Sequence, residues 1–263
     1  DYNRLSRGLD IISWDNYPFW HREKDEVPAA VRAAFNHSMM RSMKKQPFLL
    51  MESAPSVINW RENNPVKRPG MHMLSSMQAV AHGSDSVQYF QWRKGRGSYE
   101  KFHGAVLDHK NGSNTRVFRE VSEVGRRLPG LEHLLDGTVN HPEAAVLFDW
   151  ENWWALELSS GPTKDMDYLK TVSRYYQAFF EQNLPVDIVR LDADLDAYDL
   201  VAAPMLYMMK EGVYEKLEAF VKRGGTLIAT VMSGLVDEND RCVFGEYPGL
   251  LKEMFGIWVE ETD

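Results

Sequence analysis

Phe48-Leu49-Leu50-Met51-Glu52-Ser53 runs four apolar residues straight into a carboxylate and a hydroxyl. Four apolar positions in a row predict a short strand buried on both faces, as in a parallel sheet covered by helices. A glutamate directly behind such a strand stands where α/β barrels present catalytic groups. The strand fixes its Cα, and the carboxylate projects into the mouth. A helix cap or a solvated loop charge accounts for these residues equally well when they are taken alone.

The flanks repeat the pattern. Leu9 to Ser13 is an apolar run ending in Trp14-Asp15-Asn16-Tyr17-Pro18, and it predicts a strand that delivers polar residues into a turn. Pro28 to Met43 has helical character, with proline early and apolar residues on one face. A loop rich in Asn, Pro and Gly covers Asn59 to Gly70, a helix is expected over Met73 to His82, and a third strand over Ser86 to Trp92. Thr115 to Leu135 reads as an amphipathic helix. Strands and helices that alternate, with polar clusters after each strand, belong to an α/β barrel or a doubly wound sheet. Three such units do not close an eight-stranded barrel.

A boundary is expected near Asn140-His141-Pro142, dividing the chain into 1–140 and 141–263. Beyond it the alternation restarts: strand Ala144–Phe148, helix Tyr168–Gln182, strands Val186–Val189 and Leu200–Pro204, helix Val213–Lys222 and strand Thr226–Thr230. This second half reads as a mostly parallel α/β domain of flavodoxin-like order.

Bulk properties narrow the function. The 263 residues are 44% hydrophobic and carry a formal charge of −8 without a basic tract, which argues against nucleic acid as a partner. No run of eighteen apolar residues suggests a membrane helix, and the polar opening from Asp1 to Arg7 lacks the apolar stretch of a signal peptide. The single cysteine, Cys242, leaves no intrachain disulfide and no multi-cysteine zinc site, and it suits a reducing, cytoplasmic setting. Eight tryptophans are compatible with stacking on sugar faces, although tryptophan is more often simply core.

Several polar groups gather at predicted strand ends. Asp15 and Tyr17 follow the first strand, and Trp60 lies eight positions beyond Glu52. Tyr89-Phe90-Gln91-Trp92-Arg93 and Tyr99-Glu100-Lys101-Phe102-His103 follow the third. Polar groups interleaved with aromatics suit a hydroxyl-rich ligand: Glu100 offers acceptors for two neighbouring hydroxyls, and His103 a donor for one. Alone, Trp60 also fits a loop anchor packed on the core, and a histidine such as His103 is more often structural than functional.

Together these segments resemble family 42 β-galactosidases. Leu50-Met51-Glu52-Ser53-Ala54-Pro55 through Asn59-Trp60 is similar to that family's nucleophile segment. Ala79 to Ser86, continuing to Phe90-Gln91-Trp92-Arg93, is similar to its last barrel strand, and Glu100 to His103 to its substrate-binding segment. The likeness continues through Phe148-Asp149-Trp150-Glu151 and Ala203-Pro204-Met205-Leu206. It implies the C-terminal portion of a TIM (β/α)8 barrel, then a flavodoxin-like (amidotransferase-like) domain that makes trimer contacts. It also implies a retaining β-galactosidase with Glu52 as nucleophile, Trp60 lining the pocket, Glu100 and His103 on the galactosyl unit, and Tyr17 near the nucleophile.

A retaining glycosidase needs two carboxylates about 5–5.5 Å apart. In the family the acid/base glutamate follows an asparagine on an earlier strand, so the resemblance implies a fragment whose acid/base lies outside the chain. The cysteine-ligated zinc of some relatives belongs to that earlier region too. No metal or cofactor is expected within these residues. The expected partners are a galactoside and two further copies of the chain, with neither nucleic acid nor membrane. In the second half, Trp150-Glu151-Asn152-Trp153-Trp154 replaces a Gly-rich phosphate loop, which argues against nucleotide binding. Cys242 lies in a polar turn rather than on a strand-to-helix elbow, which argues against a catalytic thiol.

Overall fold

The computed structural model describes residues 1–21, 24, 26–110 and 112–262. A short helix α1 (Tyr2–Ser6) opens the chain, which divides into two compact units. One comprises Arg4–Asn140, the other Asp1–Asn3 with His141–Asp263.

In the Arg4–Asn140 unit, β1 (Ser13–Asn16), β2 (Phe48–Ser53) and β3 (Ser84–Val87) form a parallel sheet in sequence order. Helices α2 (Glu26–Ser42) and α3 (Met71–Ala81) make the crossovers, and α4 (Arg116–Leu135) follows β3. Parallel neighbours joined one after the next by helices, with no reversal of order, are what a barrel wall requires. The sheet agrees with the C-terminal portion of a TIM barrel that the resemblance implies.

Phe48 and Leu50 are buried in this sheet, and Ala33, Ala34 and Phe35 of α2 are buried too. Polar side chains fix the ends of the elements. Thr115 caps α4 by accepting from Phe118 N at 3.2 Å, and Arg116 reaches back to the carbonyl of Lys67 at 3.0 Å.

Some expected boundaries move. The first strand is Ser13–Asn16, not Leu9–Ser13: Leu9 and Ile11 are exposed, so that apolar run is not a buried strand. Glu52 lies inside β2, one residue from its end, rather than behind it. The third strand is Ser84–Val87, and Gln88–Trp92, expected to continue it, is irregular. Period-2 patterning locates a strand better than it locates its end, because pairing to neighbours decides where the ladder stops.

The second unit holds β4 (Ala144–Leu147), β5 (Val186–Val189), β6 (Leu200–Ala203) and β7 (Thr226–Ala229), all parallel, in the order β5-β4-β6-β7. The order reverses once, between β4 and β6, whose connections run to opposite sides, which is the doubly wound, flavodoxin-like arrangement. Helices α6 (Tyr168–Glu181) and α7 (Val213–Lys222) cover it. β4 and β5 are buried at every position, whereas β7 alternates between exposed and half-buried residues. Ala145, Leu147, Val201, Leu217 and Phe220 pack as one core.

Two helices in this unit have no counterpart in the sequence-based expectations, α5 (Trp150–Leu158) and α8 (Leu251–Phe255). Asp149 caps α5, accepting from Asn152 N at 2.9 Å, and it pairs with Lys210 at 2.8 Å. Glu151 also pairs with Lys210. Two carboxylates at this helix N-terminus take the place a phosphate would need, in keeping with the missing Gly-rich loop.

Candidate active site

β1 and β2 carry the site on their C-terminal ends. Their register sets Ser13 opposite Leu49 and Trp14 opposite Leu50, then shifts so that Asp15 faces Glu52 and Asn16 faces Ser53. This irregularity brings the two carboxylates level at the mouth. Asp15 is held above its ordinary pKa, first by partial desolvation and then by the charge of Glu52.

Just past β1, the Tyr17 hydroxyl donates to Oε2 of Glu52 at 2.5 Å. That length belongs to a charge-assisted bond to a carboxylate. Burial pushes the Tyr17 phenol far up, and the hydrogen bond to Glu52 adds to this, as do the charges of Glu52, Asp15 and Glu100. Tyr17 therefore stays a proton donor throughout the physiological range. It engages one of the two carboxylate oxygens, Oε2.

Aromatic rings stack around this pair. Trp60 meets the Tyr17 ring edge-on at 4.8 Å and lies nearly parallel to His103 at 5.2 Å. Phe90 meets His103 edge-on at 5.1 Å. Trp60 is 44% exposed, so part of its ring stays open beside Tyr17. A cavity of about 600 Å³ beside them is lined by Asp15, Tyr17, Phe19, Arg32, Trp60 and Arg61 among others.

His103 differs from what its motif suggests. It is fully buried, not at an open surface. Its Nδ1 lies 2.8 Å from the carbonyl of Gly104, and a carbonyl only accepts, so Nδ1 carries the proton. Nε2 is buried and has no partner among the described residues. The adjacent Gly104 fixes this placement. A Cβ there would stand 2.8 Å from the carbonyl oxygen of Val57, so only glycine lets the two backbones meet.

Glu100 is exposed, on the loop that approaches Tyr17, and its carbonyl accepts from His103 N at 2.9 Å. Tyr17, Glu52, Trp60 and His103 thus come together, with Glu100 in their electrostatic neighbourhood. Arg61 joins them without any signal in the sequence to single it out, because an arginine in a polar loop reads as a solvated charge. It donates to the Tyr17 carbonyl at 2.7 Å and lies 3.7 Å over the Phe19 ring. No group of three or more His, Cys, Asp or Glu among the described residues is placed to hold a metal ion.

Residues 1–131 match a family model described as Beta-galactosidase, and residues 142–263 match one described as Beta-galactosidase trimerisation domain. The chain is 51% identical to Beta-galactosidase Pbg of Clostridium perfringens and 54% identical to Beta-galactosidase BglY of Alicyclobacillus acidocaldarius. Each alignment covers 100% of this chain but 38% of the relative, so the chain spans under two fifths of their length. The crystal structure of a β-galactosidase from Rahnella sp. R3 superposes with a TM-score of 0.95 at 50% identity, over 99% of this chain and 39% of that one. The likeness takes in both halves, so the chain belongs to the family 42 β-galactosidases, as the C-terminal part of their catalytic barrel with the trimerisation domain that follows.

Proposed function

We propose that Glu52 is the nucleophile of a retaining β-galactosidase, and that this chain supplies the nucleophile's half of the active site. One observation carries the assignment: a carboxylate at the C-terminal end of a barrel strand, with Tyr17 holding Oε2 at 2.5 Å and Trp60 beside it. Oε1 attacks the anomeric carbon of a terminal, non-reducing β-D-galactosyl residue; the glycosidic C–O bond breaks, the aglycone leaves with a proton from the acid/base glutamate, and a galactosyl ester forms. Water then releases galactose with its configuration retained. Tyr17 stabilises the carboxylate in the free enzyme and the departing carboxylate in the second step.

The acid/base glutamate comes from residues outside this chain, and the 38% coverage of the relatives supports that reading. Trp60 offers its exposed face to the apolar side of the sugar, and Glu100 accepts from its hydroxyls. His103 backs Trp60 and holds the galactosyl unit through its unpartnered Nε2. Residues 142–263 join three copies into a homotrimer, in line with the matched domain.

The test uses the complete protein. Glu52→Ala should cut turnover of an aryl β-galactoside by several orders of magnitude, since nucleophile and acid act as a unit. Azide should partly restore release of an activated aryl group and give an α-galactosyl azide. Near-normal turnover by Glu52→Ala would sink the assignment. The 263-residue chain alone should not hydrolyse even an activated substrate. Turnover by the isolated chain that Glu52→Ala abolishes would instead place the acid/base within these residues, with Glu100 the first suspect.

A further inference from the structure

The loop after β2 grips Tyr17 at two points. Trp60 packs edge-on against its ring at 4.8 Å, and the next residue, Arg61, donates from Nη2 to its carbonyl at 2.7 Å. Arg61 also spreads its guanidinium over the Phe19 ring, 3.7 Å from the centroid. It therefore spans the Tyr17-Pro18-Phe19 turn from one end to the other.

The strut is anchored at its base. The backbone N–H of Arg61 donates to Asn64 Oδ1 at 3.1 Å, and Asn64 Nδ2 donates back to the Arg61 carbonyl at 2.6 Å. Asn64 thus satisfies both backbone polar groups of Arg61, and the side chain departs from a fixed point. The turn it reaches is rigid in turn: Pro18 restricts the backbone, and its carbonyl accepts from Trp20 N at 3.1 Å.

An arginine placed this way forms no ion pair among the described residues. Burial and the neighbouring Arg32 disfavour its charge. A guanidinium held at that cost, with a planar face on a ring and one N–H on a carbonyl, exploits what distinguishes arginine from lysine. The carbonyl it holds belongs to the residue whose hydroxyl sits on Glu52.

We propose that Arg61 is a positioning residue for the nucleophile: by clamping the Tyr17–Phe19 turn it keeps the Tyr17 hydroxyl on Oε2 of Glu52. This role rests on the assignment of Glu52 and acts only through Tyr17.

A double-mutant cycle in the complete enzyme tests it, with Arg61→Ala and Tyr17→Phe made singly and together. kcat and KM are measured on 4-nitrophenyl β-galactoside, and melting temperature on each variant. Arg61→Ala should lower kcat about 10-fold or more, the scale of a weakened hydrogen bond to a charged group, with a smaller change in KM. In the Tyr17→Phe background it should cost almost nothing further, because the bond it protects is already gone. Arg61→Lys should recover part of kcat through its single donor, and Arg61→Gln carries the same cycle if the alanine variant does not fold. Costs that multiply independently in the double variant would overturn the clamp, as would an effect confined to melting temperature. Glu52→Ala run in parallel separates the two ideas. If it retains turnover, the nucleophile assignment fails and the clamp with it; if it is dead while the costs multiply, only the clamp fails.

Discussion

The Tyr17 hydroxyl reaches Oε2 of Glu52 at 2.5 Å across 35 residues of sequence, joining the ends of two adjacent parallel strands. Its consequence for activity is direct. A hydrogen bond to a charged group is worth about 1.5–3 kcal/mol. Tyr17→Phe in the complete enzyme should therefore lower kcat roughly 10- to 150-fold while the fold stays intact. Unchanged kcat would mean that the bond orients nothing the reaction needs.

Glu100 and His103 should separate by burial. Glu100 is exposed, so Glu100→Gln should weaken galactose binding and slow turnover at little cost to stability. His103 is fully buried between Trp60 and Phe90, so His103→Ala should destabilise by roughly 2–4 kcal/mol as well as impair catalysis. Thermal melts and galactose inhibition constants read the two effects apart. Normal kinetics in the folded fraction of His103→Ala would make that residue purely structural.

Acid should loosen the barrel unit. His37 is buried, stacked on Phe48 at 5.4 Å and edge-on to Trp14 at 5.0 Å, and His82 lies 6.1 Å from it. Burial first, then the charge of His82, lowers His37 to about 3; burial, then Arg41, lowers His82 to about 4. Both rings fold neutral, whereas in the unfolded chain they titrate near 6.5. Their contribution is fully present above pH 6.5 and is lost as pH falls toward 4 and 3. At pH 4.5 the loss is of order 2 kcal/mol for each ring. Urea unfolding at pH 7.5 and 4.5 checks this, and His37→Phe should shrink the difference. Equal midpoints at the two pH values would refute it.

Assembly should depend on the second unit. A complete enzyme lacking residues 142–263 should no longer trimerise, seen as a fall in mass by light scattering. A truncated protein that stayed trimeric would remove the role given to this unit.

Local pattern carried much of this protein into view. The strand Val186–Val189 and the helix Val213–Lys222 stand at the residues their apolar spacing indicates, because burial on both faces and a 3.6-residue period are written into consecutive positions. The segment from Leu50 to Trp60 likewise carries its family likeness in adjacent residues. Helix α5 escaped because its aromatic and polar residues show no clear stripe, and Asp149 as its cap became evident only with the bond to Asn152.

Sheet order in the first half could not be read the same way. Strand–helix alternation is common to barrels and doubly wound sheets, and only tertiary pairing set β1-β2-β3 in sequence, whereas the flavodoxin-like order expected of the second half is the one its strands adopt. The hydroxyl of Tyr17 on Glu52, the sealing of His103 beneath Trp60 and the reach of Arg61 to the Tyr17 carbonyl belong to the same class. Each joins residues 35 to 44 positions apart, or the tips of separate loops. Neighbouring residues determine which face of an element is apolar; which elements meet, and at what register, is settled by packing between distant segments, and the candidate site exists only there.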